Sequence, residues 1–261
     1  MAYHKAEEHP EIEVVIHDSS DARYQFCPDV DAYIIATPSD THFDIACTLI
    51  EQGKHVLVEK PVALTYSEAT KLYQLAREYD VVFLGGHTER FNPIFRSALP
   101  DLYGQQILAF HRYATKDGQE ENIIFDVMIH DLELWCYLEN IQPHSEVELK
   151  ETMHFQDGLT EIVLSHRNKA TSFSAAYNQP DERRELIGQE TTVNFLDVDD
   201  NPKDSLQGLH SHFIKLCRQN RFTDRAWSAV AAVGLAEQIQ RELFGPTLEE
   251  ETLEKLRKSH G

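Results

Sequence analysis

Lys60 is the residue in this sequence whose position most clearly suggests chemistry. It follows the apolar run 55–58 and stands between Glu59 and Pro61. A lysine at the end of a buried strand, inside a cleft, can have its pKa lowered by burial and can then exchange a proton with a substrate hydroxyl. A surface lysine after a strand gives the same pattern, so position alone leaves both interpretations open.

A second candidate is the pair Asp126 and His130, which are four residues apart. In a helix this spacing places both side chains on one face, where the carboxylate could orient or charge the imidazole. His130 could then relay a proton or hold a substrate hydroxyl. A polar pair on a half-buried helix has the same spacing, and the spacing alone favours that structural explanation.

Two more segments could bind ligands. Asp18 ends a predicted strand, where an acid can accept both ribose hydroxyls of an adenosine and repel a 2′-phosphate, which favours NAD over NADP. The segment 85–93 places polar groups after another buried strand, and Arg90 could hold a charged substrate there. Ordinary turns would also explain both segments.

No metal site is predicted from the sequence. His210, His212 and Cys217 resemble a ligand set, but the two histidines would point to different faces of a helix. The sequence has no GxSxG motif of a serine hydrolase. A distant alternative is a metal-dependent hydrolase that would use four residues: His87, Glu89, His130 and Asp131.

The elements around these residues predict an α/β fold with a doubly wound, Rossmann-like parallel sheet that is truncated. Predicted strands at 11–17, 30–36, 55–58 and 81–84 are joined in part by predicted helices at 41–52 and 65–79. Thr65 and Glu68 form a capping box at the start of the second helix. The carboxyl ends of parallel strands meet at the edge where open α/β sheets bind ligands.

The second half predicts an α+β domain with an open, mostly antiparallel sheet. Strand-like segments occur at 107–113, 145–155, 160–165, 170–177 and 191–197, and helices are predicted at 125–139, 205–219 and 226–243. We therefore expect an incomplete dinucleotide-binding domain at 1–90, and a domain for substrate binding and oligomerisation at 91–261.

The amino-acid composition of the chain limits which classes of partner it can bind. The 261 residues carry a net charge of −20, which repels nucleic acid and anionic membranes, so neither is expected. There is no apolar run of 18 residues and no signal-peptide pattern at the N-terminus. The four cysteines include no CxxC pair, which predicts reduced thiols and a cytoplasmic protein.

Together these motifs resemble the Gfo/Idh/MocA family of NAD(P)-dependent oxidoreductases over about residues 1–245. The resemblance rests on the segments 36–42, 59–61 and 126–132. It implies that Lys60 is the catalytic lysine and that Asp126 and His130 handle protons. It further implies residues that line the nicotinamide half of the cofactor: Ala36, Thr37, Pro38, His42, Glu59 and Lys60. The preference for NAD over NADP rests on Asp18.

Segments 86–93 and 128–132 look most like the sugar-nucleotide branch of this family, that of the UDP-N-acetylglucosamine 3-dehydrogenases. We accordingly expect a small-molecule sugar or sugar-nucleotide substrate, held by four residues: His87, Arg90, Asn92 and Asp131. The family resemblance also implies a homo-oligomer, a dimer or tetramer, formed through the open sheet.

The sequence departs from the family at its beginning. It contains no GxGxxG loop, and its first glycine is Gly53. We therefore expect the first sheet strand to be absent and cofactor binding to be weakened or lost. One hypothesis is an enzyme that transfers a hydride between a sugar CH–OH group and a nicotinamide. The alternative is a catalytically impaired family remnant that binds or oligomerises. The absent loop favours the remnant, and the retained Lys60, Asp126 and His130 favour the enzyme.

Overall fold

The computed structural model describes residues 29–115, 118, 123–155, 158–196, 202–219, 222 and 226–245. The strand predicted at 11–17 and Asp18 lie outside these residues. The contacts below all belong to one compact unit, Ala32–Gly261. Across the described residues, every helix is too short or too polar to pass through a lipid bilayer.

A three-stranded parallel sheet forms first, in the order β1-β2-β3, and it confirms the predicted α/β class. Its register sets Ile35 beside Val58 and Glu59 beside Gly86, so the three strands end at one edge. The strands and the helices between them are β1 (Ala32–Ile35), α1 (His42–Glu51), β2 (His55–Glu59), α2 (Tyr66–Glu78) and β3 (Phe83–Gly86).

The helices of this part begin and pack as their sequences predict. Thr65 Oγ1 accepts a hydrogen bond from Glu68 N at 3.2 Å, and Thr65 N donates to Glu68 Oε2 at 3.3 Å, which is the predicted capping box. Leu49 and Ile50 of α1 are fully buried. The third strand lies two residues later than predicted, at Phe83–Gly86.

A six-stranded sheet follows, in the order β5-β6-β7-β4-β8-β9. The predicted antiparallel character is confirmed in four of its five strand pairs, and only β4 and β7 run parallel. The strands are β4 (Ile107–Tyr113), β5 (Glu148–His154), β6 (Thr160–His166), β7 (Lys169–Ala176), β8 (Arg183–Gly188) and β9 (Thr192–Asn194).

Four more helices lie among the described residues of the unit. The sequence analysis missed α3, which is capped by Asn92 Oδ1 accepting from Ile94 N at 2.8 Å. Trp135 of α4 packs edge-on against Phe173 of the six-stranded sheet, and α4 also packs on α6. The helices are α3 (Pro93–Leu102), α4 (Ile129–Leu138), α5 (Pro202–Gln219) and α6 (Trp227–Phe244).

The two sheets are covered differently. Leu209 and Phe213 of α5 pack with Leu57 and Leu84 of the parallel sheet, whose other face carries α1 and α2. The six-stranded sheet has a buried face under α4 and α6, while Leu108 and Met153 are 41% and 43% exposed. Among the described residues, its other face therefore keeps apolar side chains exposed, which agrees with the predicted open sheet.

Candidate active site

The structure brings Lys60 and Asp126 together across 66 residues of sequence. The Lys60 ammonium donates to the backbone oxygen of Asp126 at 2.7 Å and to its Oδ1 at 2.9 Å. Lys60 directly follows β2, and Asp126 lies in a π-helical turn, Ile124–Met128, that leads into α4. The side chains are 21% and 36% exposed, so a ligand can reach this ion pair from solvent.

A tyrosine that the sequence analysis missed completes this arrangement. Tyr177 directly follows β7 and donates its phenol hydrogen to Asp126 Oδ2 at 2.8 Å. Burial raises the pKa of Tyr177, and the hydrogen bond to Asp126 raises it further, so the phenol is a neutral donor near pH 7. The only signal in the sequence is a polar aromatic residue at the end of a buried strand.

The pairing of Asp126 with Lys60 differs from the predicted one. The spacing of four from His130 assumed α-helical geometry, in which the two side chains share a face. Asp126 instead sits in a π-helix, whose wider turn changes the angle between residues four apart. Its two carboxylate oxygens meet Lys60 and Tyr177.

Two neutral histidines lie beside the ion pair. The rings of His87 and His130 are 6.3 Å apart between centroids and nearly perpendicular. Burial lowers the pKa of His87 to about 3, with Arg90 and Lys60 acting in the same direction. Burial also lowers the pKa of His130 well below its ordinary value, and Arg112 and Lys60 add to this effect.

These histidines have unused hydrogen-bonding capacity. Both ring nitrogens of His87 and Nδ1 of His130 are buried and have no hydrogen-bond partner among the described residues. His130 as a whole is partly exposed. Because a neutral imidazole carries one donor and one acceptor, it suits a hydroxyl group, which both donates and accepts.

A buried arginine holds the segments that carry the histidines. Arg112 of β4 donates from Nε and Nη2 to Asp131 Oδ1 at 2.9 and 2.7 Å, and from Nη1 to Glu89 Oε1 at 2.7 Å. Glu89 is two residues after His87, and Asp131 directly follows His130. Sequence analysis missed Arg112, although an arginine among apolar residues of a strand is a visible signal.

This cluster bears on two predictions. Asp131 was expected to contact the substrate, but its Oδ1 accepts hydrogen bonds from Arg112. Burial raises the pKa of Asp131, and the charge of Arg112 opposes this rise. The metal-hydrolase alternative would need Asp131 and Glu89 as ligands, and both are paired with Arg112. Within the described residues there is no group of three or more His, Cys, Asp or Glu that could hold a metal ion.

Arg90 and Asn92 lie in the walls of the site. Arg90 Nε is 3.2 Å from Glu133 Oε1, its Nη1 donates to Ser228 Oγ at 3.2 Å, and its side chain is 11% exposed. The positive charge of Arg90 therefore has a buried partner, and Asn92 caps α3. Substrate contacts by these two residues stay predictions.

The residues expected to line the cofactor follow β1 and β2. Ala36, Thr37 and Pro38 leave β1, and Glu59 ends β2. His42 is buried between them, with Nδ1 2.8 Å from Pro61 O and Nε2 2.9 Å from Thr37 O. His42 therefore bridges the loop that follows β1 and the loop that follows β2.

Glu59 lies close to the neighbouring strand. Burial raises the pKa of Glu59, while the Lys60 backbone N–H and the Lys60 charge lower it. A Cβ on Gly86 would come within 2.8 Å of Glu59 Cα. Glycine at position 86 therefore allows this approach at the edge where Lys60 and His87 emerge.

Sequence comparisons match this chain to known oxidoreductases. Residues 3–87 match a family described as "Oxidoreductase family, NAD-binding Rossmann fold" (GFO_IDH_MocA). UDP-N-acetylglucosamine 3-dehydrogenase of Acidithiobacillus ferrooxidans is 35% identical over 118 residues, 44% of this chain. The scyllo-inositol 2-dehydrogenase (NAD(+)) of Bacillus subtilis is 26% identical over 189 residues, 64% of this chain. The chain spans 38% and 55% of the lengths of these relatives, respectively.

Solved structures show the same fold. A structure of UDP-N-acetylglucosamine 3-dehydrogenase GnnA from A. ferrooxidans matches with a TM-score of 0.71 and 24% identity, over 92% of this chain and 86% of that chain. A scyllo-inositol dehydrogenase from Lactobacillus casei, with bound NAD(H) and scyllo-inositol, matches with a TM-score of 0.66 and 17% identity, over 83% and 78%. At these identities the likeness shows the fold alone.

Proposed function

We propose that this chain, which matches the Gfo/Idh/MocA oxidoreductase family over residues 3–87, is a dehydrogenase. It transfers a hydride between a CH–OH group of a sugar or sugar nucleotide and a nicotinamide cofactor. The observation that carries the proposal is the ion pair of Lys60 and Asp126, 2.9 Å apart, at the carboxyl end of β2 and beside the neutral His130.

Lys60 and His130 handle the proton of the substrate hydroxyl. In oxidation the O–H proton passes to the Lys60 amine, the C–H hydrogen leaves with its electron pair, and the C–O bond becomes a carbonyl. Asp126 stabilises the ammonium that forms on Lys60, and His130 hydrogen-bonds the hydroxyl. In the ammonium form two N–H groups are directed to Asp126, so the third carries the proton that Lys60 exchanges with the substrate oxygen, and Lys60 accepts a proton there only as the neutral amine.

The described residues fit the nicotinamide end of a dinucleotide. Ala36–Pro38 and Glu59 lie at the carboxyl edge of the parallel sheet, where such ligands bind in this class of fold. Bound NAD would supply the hydride acceptor. Asp18 supports NAD over NADP, because its charge repels a 2′-phosphate.

The charges of the site favour a substrate that is neutral where it reacts. Lys60, Arg90 and Arg112 each face a carboxylate within 3.2 Å, so none of these three cations is left over for a substrate carboxylate. His130, which is partly exposed and neutral beside Lys60, offers a bond to a hydroxyl group instead. This combination favours a polyhydroxylated ring over a hydroxy acid.

The open face of the six-stranded sheet supports a homo-oligomer. Leu108 and Met153 expose apolar side chains there, and a second copy of the chain is the expected occupant. Size-exclusion chromatography with light scattering tests this part, and a monomer at micromolar concentration contradicts it.

The proposed function is tested by an NADH titration and then by a sugar-nucleotide oxidation assay. We expect saturable NADH binding, tighter than NADPH, and a rate that falls by roughly 10²- to 10⁴-fold in Lys60→Ala. Lys54→Ala is the matched control, because Lys54 lies at the opposite end of β2. Absence of NADH binding by the folded chain supports the non-catalytic alternative, and equal rates in the two variants contradict the role of Lys60.

A further inference from the structure

Asp126 is held from two sides. Its Oδ1 faces the Lys60 ammonium at 2.9 Å, and its Oδ2 accepts from the Tyr177 phenol at 2.8 Å. These contacts join three distant parts of the chain: the end of β2, the π-helical turn before α4, and the end of β7. A carboxylate bonded through both oxygens cannot rotate without breaking one of the bonds.

We propose that Tyr177 is a positioning residue of the dehydrogenase site, which acts by fixing the Asp126 carboxylate so that Oδ1 faces Lys60. This inference rests on the proposed function, because Lys60 is the proton acceptor there. Tyr177 makes no contribution to the proton transfer except through Asp126.

The surroundings of Tyr177 leave its ring little freedom. Tyr177 is 4% exposed and belongs to the apolar core beside the six-stranded sheet. Gly118 lies so close to the ring that a Cβ at this position would overlap it. Phenylalanine at position 177 would keep this packing, because it removes only the hydroxyl oxygen.

The phenol bond also decides how closely the Asp126 charge meets Lys60. Without it the carboxylate can rotate, and Oδ1 can move away from the Lys60 nitrogen. The loss of a nearby negative charge disfavours a protonated amine. Tyr177→Phe should therefore shift the pH profile in the same direction as Asp126→Asn, which removes the charge altogether, and by less.

The test compares wild type, Tyr177→Phe and Asp126→Asn across a pH series. Because Asp126 is about a third exposed and water can replace the phenol, we expect kcat to fall by about 2- to 10-fold in Tyr177→Phe, with KM nearly unchanged. The acid limb of the kcat profile should move down in both variants, by roughly 0.3 to 1 pH unit in Tyr177→Phe and further in Asp126→Asn.

The pH readout separates positioning from loss of packing. Glu59, His87 and His130 also interact electrostatically with Lys60, and they are the same in both variants. Tyr113→Phe, a tyrosine at the end of β4, is the matched control and should keep the wild-type profile. An acid limb in Tyr177→Phe that coincides with wild type overturns the proposal.

A second test of the positioning role does not depend on enzymatic activity. Crystal structures of wild type and Tyr177→Phe give the distance from Asp126 Oδ1 to Lys60 Nζ, which we expect to be kept in wild type and lost or lengthened in the variant. An unmoved carboxylate in Tyr177→Phe overturns the positioning role. If wild type oxidises no sugar, the proposed function fails, and this distance still decides what Tyr177 does.

Discussion

Replacement of His87 by leucine should make the folded chain less sensitive to acid. His87 is 1% exposed, and burial lowers its pKa from the ordinary 6.5 to about 3. Between these values the unfolded chain binds a proton at His87 and the folded chain does not. Stability therefore falls as the pH falls through this window, and it rises again with pH up to about 6.5.

The size of the effect follows from the two pKa values. Between pH 7 and pH 5, His87 alone lowers the free energy of unfolding of wild type by about 2 kcal/mol. A folded-state pKa of 4 instead of 3 changes this figure by less than about 0.1 kcal/mol, since the folded chain is almost unprotonated at pH 5 in both cases. The leucine variant has no such loss.

Urea unfolding followed by circular dichroism at pH 7 and pH 5 measures the difference. We expect wild type to lose about 2 kcal/mol more than His87→Leu over this interval. His144→Leu is the control, because His144 is exposed and should retain the wild-type response. Identical pH responses in wild type and His87→Leu would refute the reasoning that His87 is buried as a neutral ring.

Three further predictions concern the framework of the site, each measured as the change in the free energy of urea unfolding. Arg112→Met leaves the buried Asp131 without its arginine and Glu89 with only Arg184, 3.9 Å away, and should cost about 3–5 kcal/mol at pH 7, with a smaller cost at pH 5, where the carboxyls protonate more readily. Gly86→Ala should cost about 1–3 kcal/mol, because the new methyl meets the Glu59 backbone. Thr65→Ala removes the capping box and should cost about 1 kcal/mol. A variant as stable as wild type contradicts its own prediction.

Elements with strong local signals were predictable from sequence. β2 is a continuous apolar run, α2 begins with a hydroxyl and an acid three residues apart, and both appear in the structure within one residue of their predicted bounds. β8 was missed because its sequence begins Arg183-Arg184-Glu185 and shows little alternation. Its place beside β4 comes from sheet pairing and not from local propensity.

The residues of the candidate site also divide into those with a local sequence signal and those whose position depends on the fold. Lys60 and His130 carry local signals, since one follows a buried strand and the other lies in a helical pattern. Tyr177 and Arg112 act through partners 51 and 19 residues away in sequence, at positions set by the order of strands in the six-stranded sheet. A single sequence gives no such order, so the partners of these two residues could be identified only after the fold was known.

The position of Asp126 shows why spacing alone was insufficient. A spacing of four indicates a shared helix face only while the backbone keeps α-helical geometry. The backbone departs from α-helical geometry at Ile124–Met128. There, both the backbone oxygen and the carboxylate of Asp126 accept hydrogen bonds from Lys60. A substitution that restored a regular α-turn there would rotate Asp126 relative to His130 and break contacts to both Lys60 and Tyr177. The irregular turn is therefore part of how Asp126 reaches Lys60, and the proton-handling pair of Asp126 and His130 stays a prediction.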